Sequence, residues 1–423
     1  MSEQTIERRS PESGTAERLL EAGISLIAEG GLRALTIRDL AARAGIAFPS
    51  VQHHFPSKGL LIDEIFSNIE RRHCAVTADA LAEIEPDGGE AALPEIISAV
   101  LADWCGGHRT LTIGAHEMLL AAHRDSRHAR FGGGWIDGQS DVWMGLTRRL
   151  GLKLERKRVL FIVELLLGLS LMTFGCANQV EAALANNEII RFAFADAKSK
   201  ERFDPYWYRM QLARLDREEL PIEDSGSTIS DAGHPAAAKI LDAGILIVAE
   251  EGASMLTFRG IAARAGVAIG SVTNNFQTRQ KLTYSIYRHI QENITNANLR
   301  VPETTSSSDL PAPAPLPTRI AMMKRVLAGK PVLALASYDL MLAGARDPAF
   351  GPRAWRIRMT RGIYLLIRRG VIPAHPLLTQ FRAHAHSLWS NAVVLLCGIR
   401  ASDAAEKDNI VEQRMRVGFA HLG

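Results

Sequence analysis

Twenty residues of this chain occur twice. Thr36 to Phe55 returns as Thr257 to Phe276, shifted by 221 positions, with eleven of the twenty identical. The shared residues include the small and apolar positions that a compact helix pair needs to fix its crossing: Ala41, Ala44, Gly45, Val51 and Phe55, matched by Ala262, Ala265, Gly266, Val272 and Phe276. A repeat at half the chain length restricts the fold to one unit built twice.

The local signals around each copy are helical. Ala16, Leu19, Leu20, Gly23, Ile24 and Ile27 follow the i, i+3, i+4, i+7 spacing of one apolar face, so a helix is expected from about Thr15 to Ala28, stopped by Gly30 and Gly31. Thr36 suits the cap of a second helix, with Asp39 three residues on, and Gly45 permits the left-handed turn that ends it. Pro49 fits the first turn of a third helix, which buries Val51 and Phe55 and turns Ser50, Gln52, His53 and His54 outward. Ser57 caps a fourth, striped by Leu61, Ile65 and Ile69. The second copy repeats this with Leu241, Ile245 and Val248, and with Thr278 as the last cap.

Carried by Thr36, Arg38, Leu40, Ala41, Ala44, Gly45 and Ile46, and again by their counterparts in the second copy, the pattern resembles the tetracycline-repressor (TetR) family of bacterial transcriptional regulators. The resemblance implies an all-α protein that binds double-stranded operator DNA through a helix-turn-helix and senses a small-molecule effector in a C-terminal helical domain. At 423 residues the chain has the length of two such subunits, so the expected layout is tandem. Residues 1–75 and 235–296 are the two helix-turn-helix units, 76–218 and 297–423 the two regulatory bundles, and 219–234 the polar linker.

In a helix-turn-helix the second helix of the motif enters the major groove and its outward side chains reach base edges. The resemblance therefore marks Pro49, Ser50, Gln52, His53 and His54 in the first copy, and Gly270, Ser271, Thr273, Asn274 and Asn275 in the second. Arg38 and Arg259 stand where relatives place a base- or phosphate-reaching arginine, and Lys58 and Arg279 lie beside a helix N-terminus suited to phosphate. The chain departs from the family at Gln52 and Thr273, where an aromatic residue commonly precedes the histidine pair. Because the two reading helices differ at most exposed positions, unlike half-sites are expected. Gly260 for Asp39 and Gly270 for Pro49 leave open a second copy that only scaffolds.

Bulk charge contributes little to this expectation. The net charge is +3, and residues 1–60 hold seven basic and seven acidic side chains, so affinity for DNA must come from placement. The polar N-terminus lacks an apolar signal region, and Cys74, Cys105, Cys176 and Cys397 have neither metal-ligand spacing nor a disulfide framework, which suits the cytoplasm. Val159 to Gly175 is almost wholly apolar, yet it is short for a membrane span and contains Glu164; a buried helix in a bundle or interface explains it better.

For the effector, Trp104, His108, His116, His123, Trp143 and Phe174 offer aromatic walls with a few polar anchors, beside the competing role of ordinary core packing. Neither a cofactor nor a metal is expected, and no catalytic spacing occurs, so an enzyme is not expected. A scaffold independent of DNA is the remaining alternative. The matching stretches Val159 to Cys176 and His384 to Cys397 are already joined in one polypeptide, so an intramolecular pseudo-dimer is expected, with a homodimer as the alternative.

Overall fold

The computed structural model describes residues 11–84, 86–176, 178–215, 235–298, 316–327, 331–350, 355–356, 358–359, 377–400 and 403–422. Among these only helices and their turns occur, so the fold is all-α. The expected linker at 219–234 lies outside the described residues.

The first unit comprises α1 (Pro11–Gly30), α2 (Ile37–Ala44), α3 (Phe48–His54) and α4 (Lys58–Ala82). Helix α1 is longer at both ends than its apolar stripe, starting on Pro11, which needs no backbone donor at a helix start. The caps are those that the sequence encodes. The Thr36 hydroxyl accepts the Asp39 N–H at 3.1 Å and donates to the Asp39 carboxylate at 2.6 Å; Ser57 accepts the Leu60 N–H at 3.2 Å. Gly45 ends α2 at φ 63° and ψ 37°, a left-handed conformation that a Cβ would strain. Leu19, Ile27, Leu40, Val51, Leu61, Ile65 and Ile69 form a shared core with no exposure.

The same layout recurs in α12 (Pro235–Glu251), α13 (Phe258–Ala265), α14 (Ile269–Asn275) and α15 (Arg279–Asn298). Thr257 and Thr278 cap through their hydroxyls, and Gly266 adopts φ 66° and ψ 36°. Even the brace between first and second helix is repeated: Arg43 holds Glu29 at 2.6 Å, and Arg264 holds Glu250 at 2.7 Å.

Between and after these units lie α5 (Leu93–Cys105), α6 (Arg109–Arg124), α7 (Ala129–Arg149), α8 (Arg156–Phe174), α9 (Gln179–Phe194), α10 (Ala197–Glu201) and α11 (Tyr206–Leu215). The later part contributes α16 (Leu316–Leu327), α17 (Val332–Arg346), α18 (Leu377–Arg400) and α19 (Ala404–Leu422). Helix α8 is the axis of the bundle. Every residue from Val159 to Phe174 is buried, and the helix packs on α18, α5, α7, α17 and α19. Gly168 lets the Leu388 carbonyl of α18 approach so closely that a Cβ there would collide with it.

Glu164 explains how a carboxylate survives in that run. Its oxygens accept the Trp389 indole N–H at 3.0 Å and the Arg414 guanidinium, so a charge from α8 is matched by residues more than 220 positions later. Burial pushes its pKa upward against the pull of Arg414 and Trp389. No single described helix is long and apolar enough to cross a membrane.

Candidate nucleic-acid interface

Helices α3 and α14 are each held from behind and bare in front. In α3, Val51 is fully buried and Phe55 nearly so, while Pro49, Ser50, Gln52 and His53 are exposed and His54 is half-buried. In α14, Val272 is fully buried; Gly270, Thr273, Asn274 and Asn275 are exposed and Ser271 is half-buried. Arg38, Lys58, Arg259 and Arg279 are exposed at the flanks. Lys58 begins α4 one residue after its cap, and packing there together with the charge of Arg33 lowers its ammonium pKa.

Two of these side chains are partly occupied at home. The Asn275 amide donates to the Ser271 carbonyl at 2.7 Å, and the Thr273 hydroxyl donates to the Gly270 carbonyl at 3.1 Å. Arg279 also donates to the Ser254 carbonyl at 3.1 Å. No such self-contact is shown by Gln52 or His53 toward its own helix backbone among the described residues. The second face is therefore the more self-satisfied of the two.

Phe48 and Ile269 are not among the residues that the helix-turn-helix pattern marks. They open α3 and α14 at equivalent positions and are 46% and 52% exposed. A large apolar side chain beside outward polar groups fits contact with a thymine methyl or a sugar. The usable signal was their shared offset of 221 next to Pro49 and Gly270.

The two units are tied together beneath this face. At the end of α6, Arg124 donates to the Val248 and Ala249 carbonyls at 2.8 and 2.9 Å, closing the C-terminus of α12, and to Asp339 on α17 at 2.6 Å. At the end of α17, Arg346 donates to the Ala28 carbonyl of α1 at 2.7 Å and pairs with Glu117 on α6. Each arginine thus serves the first helix of the opposite unit, where a cation suits the helix C-terminus. Gly31 and Gly252, at φ 78° and 103°, carry the chain past these carboxylates. The short turns at 32–34 and 253–255 touch one another.

The six aromatic and histidine residues considered for an effector differ in their exposure and in their partners. Trp104, Trp143 and His116 have no exposure, and Phe174 has 3%. Trp104 donates to Thr77 at 3.2 Å; His116 bridges Tyr338 at 2.5 Å and Ser170 at 2.9 Å, with Phe174 packed edge-on against its ring. His123 lies against Gly398, and His108 faces Asp103 at 3.6 Å on the surface. Among the described residues no group of three or more His, Cys, Asp or Glu converges as metal ligands.

Comparison with known proteins bears on the first unit. Residues 19–65 match the family model for bacterial regulatory proteins, tetR family. Over 56 residues the chain is 50% identical to the HTH-type transcriptional repressor KstR2 of Rhodococcus jostii (strain RHA1), covering 13% of this chain and 28% of that protein. It is 51% identical over 47 residues to KstR2 of Mycobacterium tuberculosis (strain ATCC 25618 / H37Rv), covering 11% and 24%. The matches span about a quarter of the length of these curated relatives. A solved structure described as a candidate transcriptional regulator from Streptomyces coelicolor A3(2) aligns over 42% of this chain and 96% of its own, at 21% identity and a TM-score of 0.34. That structural likeness is too loose to add to the argument, whereas the sequence match falls on the capped helices, the left-handed glycine and the buried valine described above. Residues 19–65 are thus similar to the helix-turn-helix domain of bacterial regulatory proteins of the tetR family.

Proposed function

We propose that the chain is a DNA-binding transcriptional regulator, acting as a repressor, in which residues 1–75 and 235–296 read two half-sites of one operator and the bundles at 76–218 and 297–423 respond to a small effector. The observation that carries this is the outward row Ser50, Gln52 and His53 on a helix fixed by Val51 and Phe55, inside the tetR-family match. Relatives named as HTH-type transcriptional repressors support the sign of regulation.

Gln52 pairs with adenine in the major groove, Arg38 and Arg259 reach a base or a phosphate, and Lys58 and Arg279 sit on phosphate. With Ser271, Thr273 and Asn274 presented by α14, the half-sites differ. One chain works as an intramolecular pair, its reading helices ~34–36 Å apart, one turn of DNA. It acts in the cytoplasm and catalyses no reaction.

The self-bonded Thr273 and Asn275 and the bare Gly270 favour a second reading, in which the second unit holds the first in place and adds little sequence preference.

The test is selection from a random DNA pool followed by titration of variants. Gln52→Ala should cost about 1–3 kcal/mol at one base position, and Lys58→Ala should weaken all sequences alike and reduce the salt slope by about one. Enrichment of a single half-site supports the second reading. Loss from Gln52→Ala that is equal on every sequence would defeat the assignment.

A further inference from the structure

A cleft of about 430 Å³ opens where the chain between α9 and α10 meets α18 and α19. Lys200 and His421 both stand on its wall. Ala193, Phe194 and Ala195 contribute apolar lining and Arg158, Lys200 and Arg382 three cations, against one lining carboxylate, Glu201.

The cations are under-matched. Among the described residues Arg382 has only the Lys200 carbonyl at 3.4 Å and the face of Phe192, and its buried Nε has no partner there. The Lys200 ammonium reaches the Ala420 carbonyl at 3.3 Å and the same Phe192 face. Neither has a carboxylate within ion-pairing distance among the described residues. Arg158 pairs with Glu90, yet its Nε is also buried and unpartnered. Mutual repulsion shows in Lys200, whose pKa is lowered by burial first and then by Arg382 and Arg158. The His421 ring, stacked on Phe161 and hydrogen-bonded to the Ala193 carbonyl at 3.0 Å, is held down to about 4 by burial above all, so it stays neutral at pH 7.

Grouped cations with spare N–H donors beside an apolar wall match an amphiphilic anion. We propose that this cleft binds a small organic acid, its phosphate or carboxylate seated among Arg158, Lys200 and Arg382 and its apolar body against Phe194. This deepens the ligand-responsive reading by placing the effector between the halves, while the binding itself does not depend on DNA recognition.

The experiment is calorimetric titration of the full chain with inorganic pyrophosphate and, separately, with octanoate, each against sodium chloride at equal ionic strength. Saturable binding of about one equivalent is expected for at least one probe, and the better probe tells phosphate from carboxylate. Lys200→Gln and Arg382→Gln should each weaken it about tenfold, and Arg382→Lys less. Lys200 lies on a five-residue helix, so its variant retains the fold even if the Arg382 variants do not. Absence of saturable heat with both probes, or binding unchanged in Lys200→Gln, overturns the site. Binding that leaves DNA affinity unaltered upholds the site and counts against effector control of DNA release.

Discussion

Replacing Arg124 by Ala tests whether the crossed arginines hold the reading units. Asp339 has 4% of its side chain exposed and Arg124 has 16%, so the substitution strands a buried carboxylate with only the Ala253 N–H at 2.8 Å. It also frees the Val248 and Ala249 carbonyls. Breaking a buried pair by removing one partner costs about 3–5 kcal/mol. With an unfolding entropy of about 2.1 cal/mol/K per residue over 423 residues, this amounts to a fall of ~3–6 °C in the thermal midpoint. Arg43→Ala is the internal control: its pair with Glu29 is as short, 2.6 Å, but 42% and 55% exposed, so solvent screens it and its loss should move the midpoint far less. Scanning calorimetry of both variants, together with titration of DNA carrying one or two half-sites, gives the comparison. Arg124→Ala should also lose more affinity for paired half-sites than for a single one. A midpoint shift no larger than that of Arg43→Ala would refute the assignment of the pair as a structural tie.

Gly168→Ala should lower stability by about 1–3 kcal/mol, because a Cβ meets the Leu388 carbonyl and must push α8 from α18; for an intramolecular contact, the midpoint of parent and variant should not move over a hundredfold range of protein concentration. Gly270→Ala should stabilise the second reading helix by about 0.4–1 kcal/mol, since nothing lies within 4 Å of the added carbon; destabilisation in urea titration would contradict this. His73, His116 and His386 are each held down to about 3, by burial first and lesser nearby positive charge. Their folded pKa lies below the unfolded one, so stability is full above about pH 6.5 and falls as pH drops towards 3. At pH 5 each costs about 2 kcal/mol relative to neutral pH, and unfolding there should take up protons, read from calorimetry in buffers of different ionisation heat.

The helix-turn-helix was legible because its signals are local. Thr36, Ser57 and Thr257 cap, Gly45 and Gly266 turn, and Val51 and Val272 anchor through interactions within a few residues or one helix face. Apolar periodicity likewise placed α8 in the interior, with the charge at Glu164 left to find a partner. That partner, Arg414, is 250 positions away, and the crossed pairs of Arg124 and Arg346 span 215 and 229 positions. One sequence carries no record of such distances. The aromatic residues illustrate the same limit. Trp and His content indicates material for a cavity or for a core, and only the packing shows Trp104 tied to Thr77 and His116 to Tyr338. The cleft cations, drawn from α8, α10 and α18, had no common spacing to betray them.

In a pair of identical subunits a mutation is written on both sides of the two-fold axis, whatever its effect on either. A single reading frame removes that constraint, and the crossed ties already differ. One uses Asp339, whose second oxygen takes the Ala253 amide; the other uses Glu117, which holds Arg346 across one more methylene and, among the described residues, takes no backbone donor. Inheritance can therefore adjust the grip on one four-helix unit while leaving the other untouched.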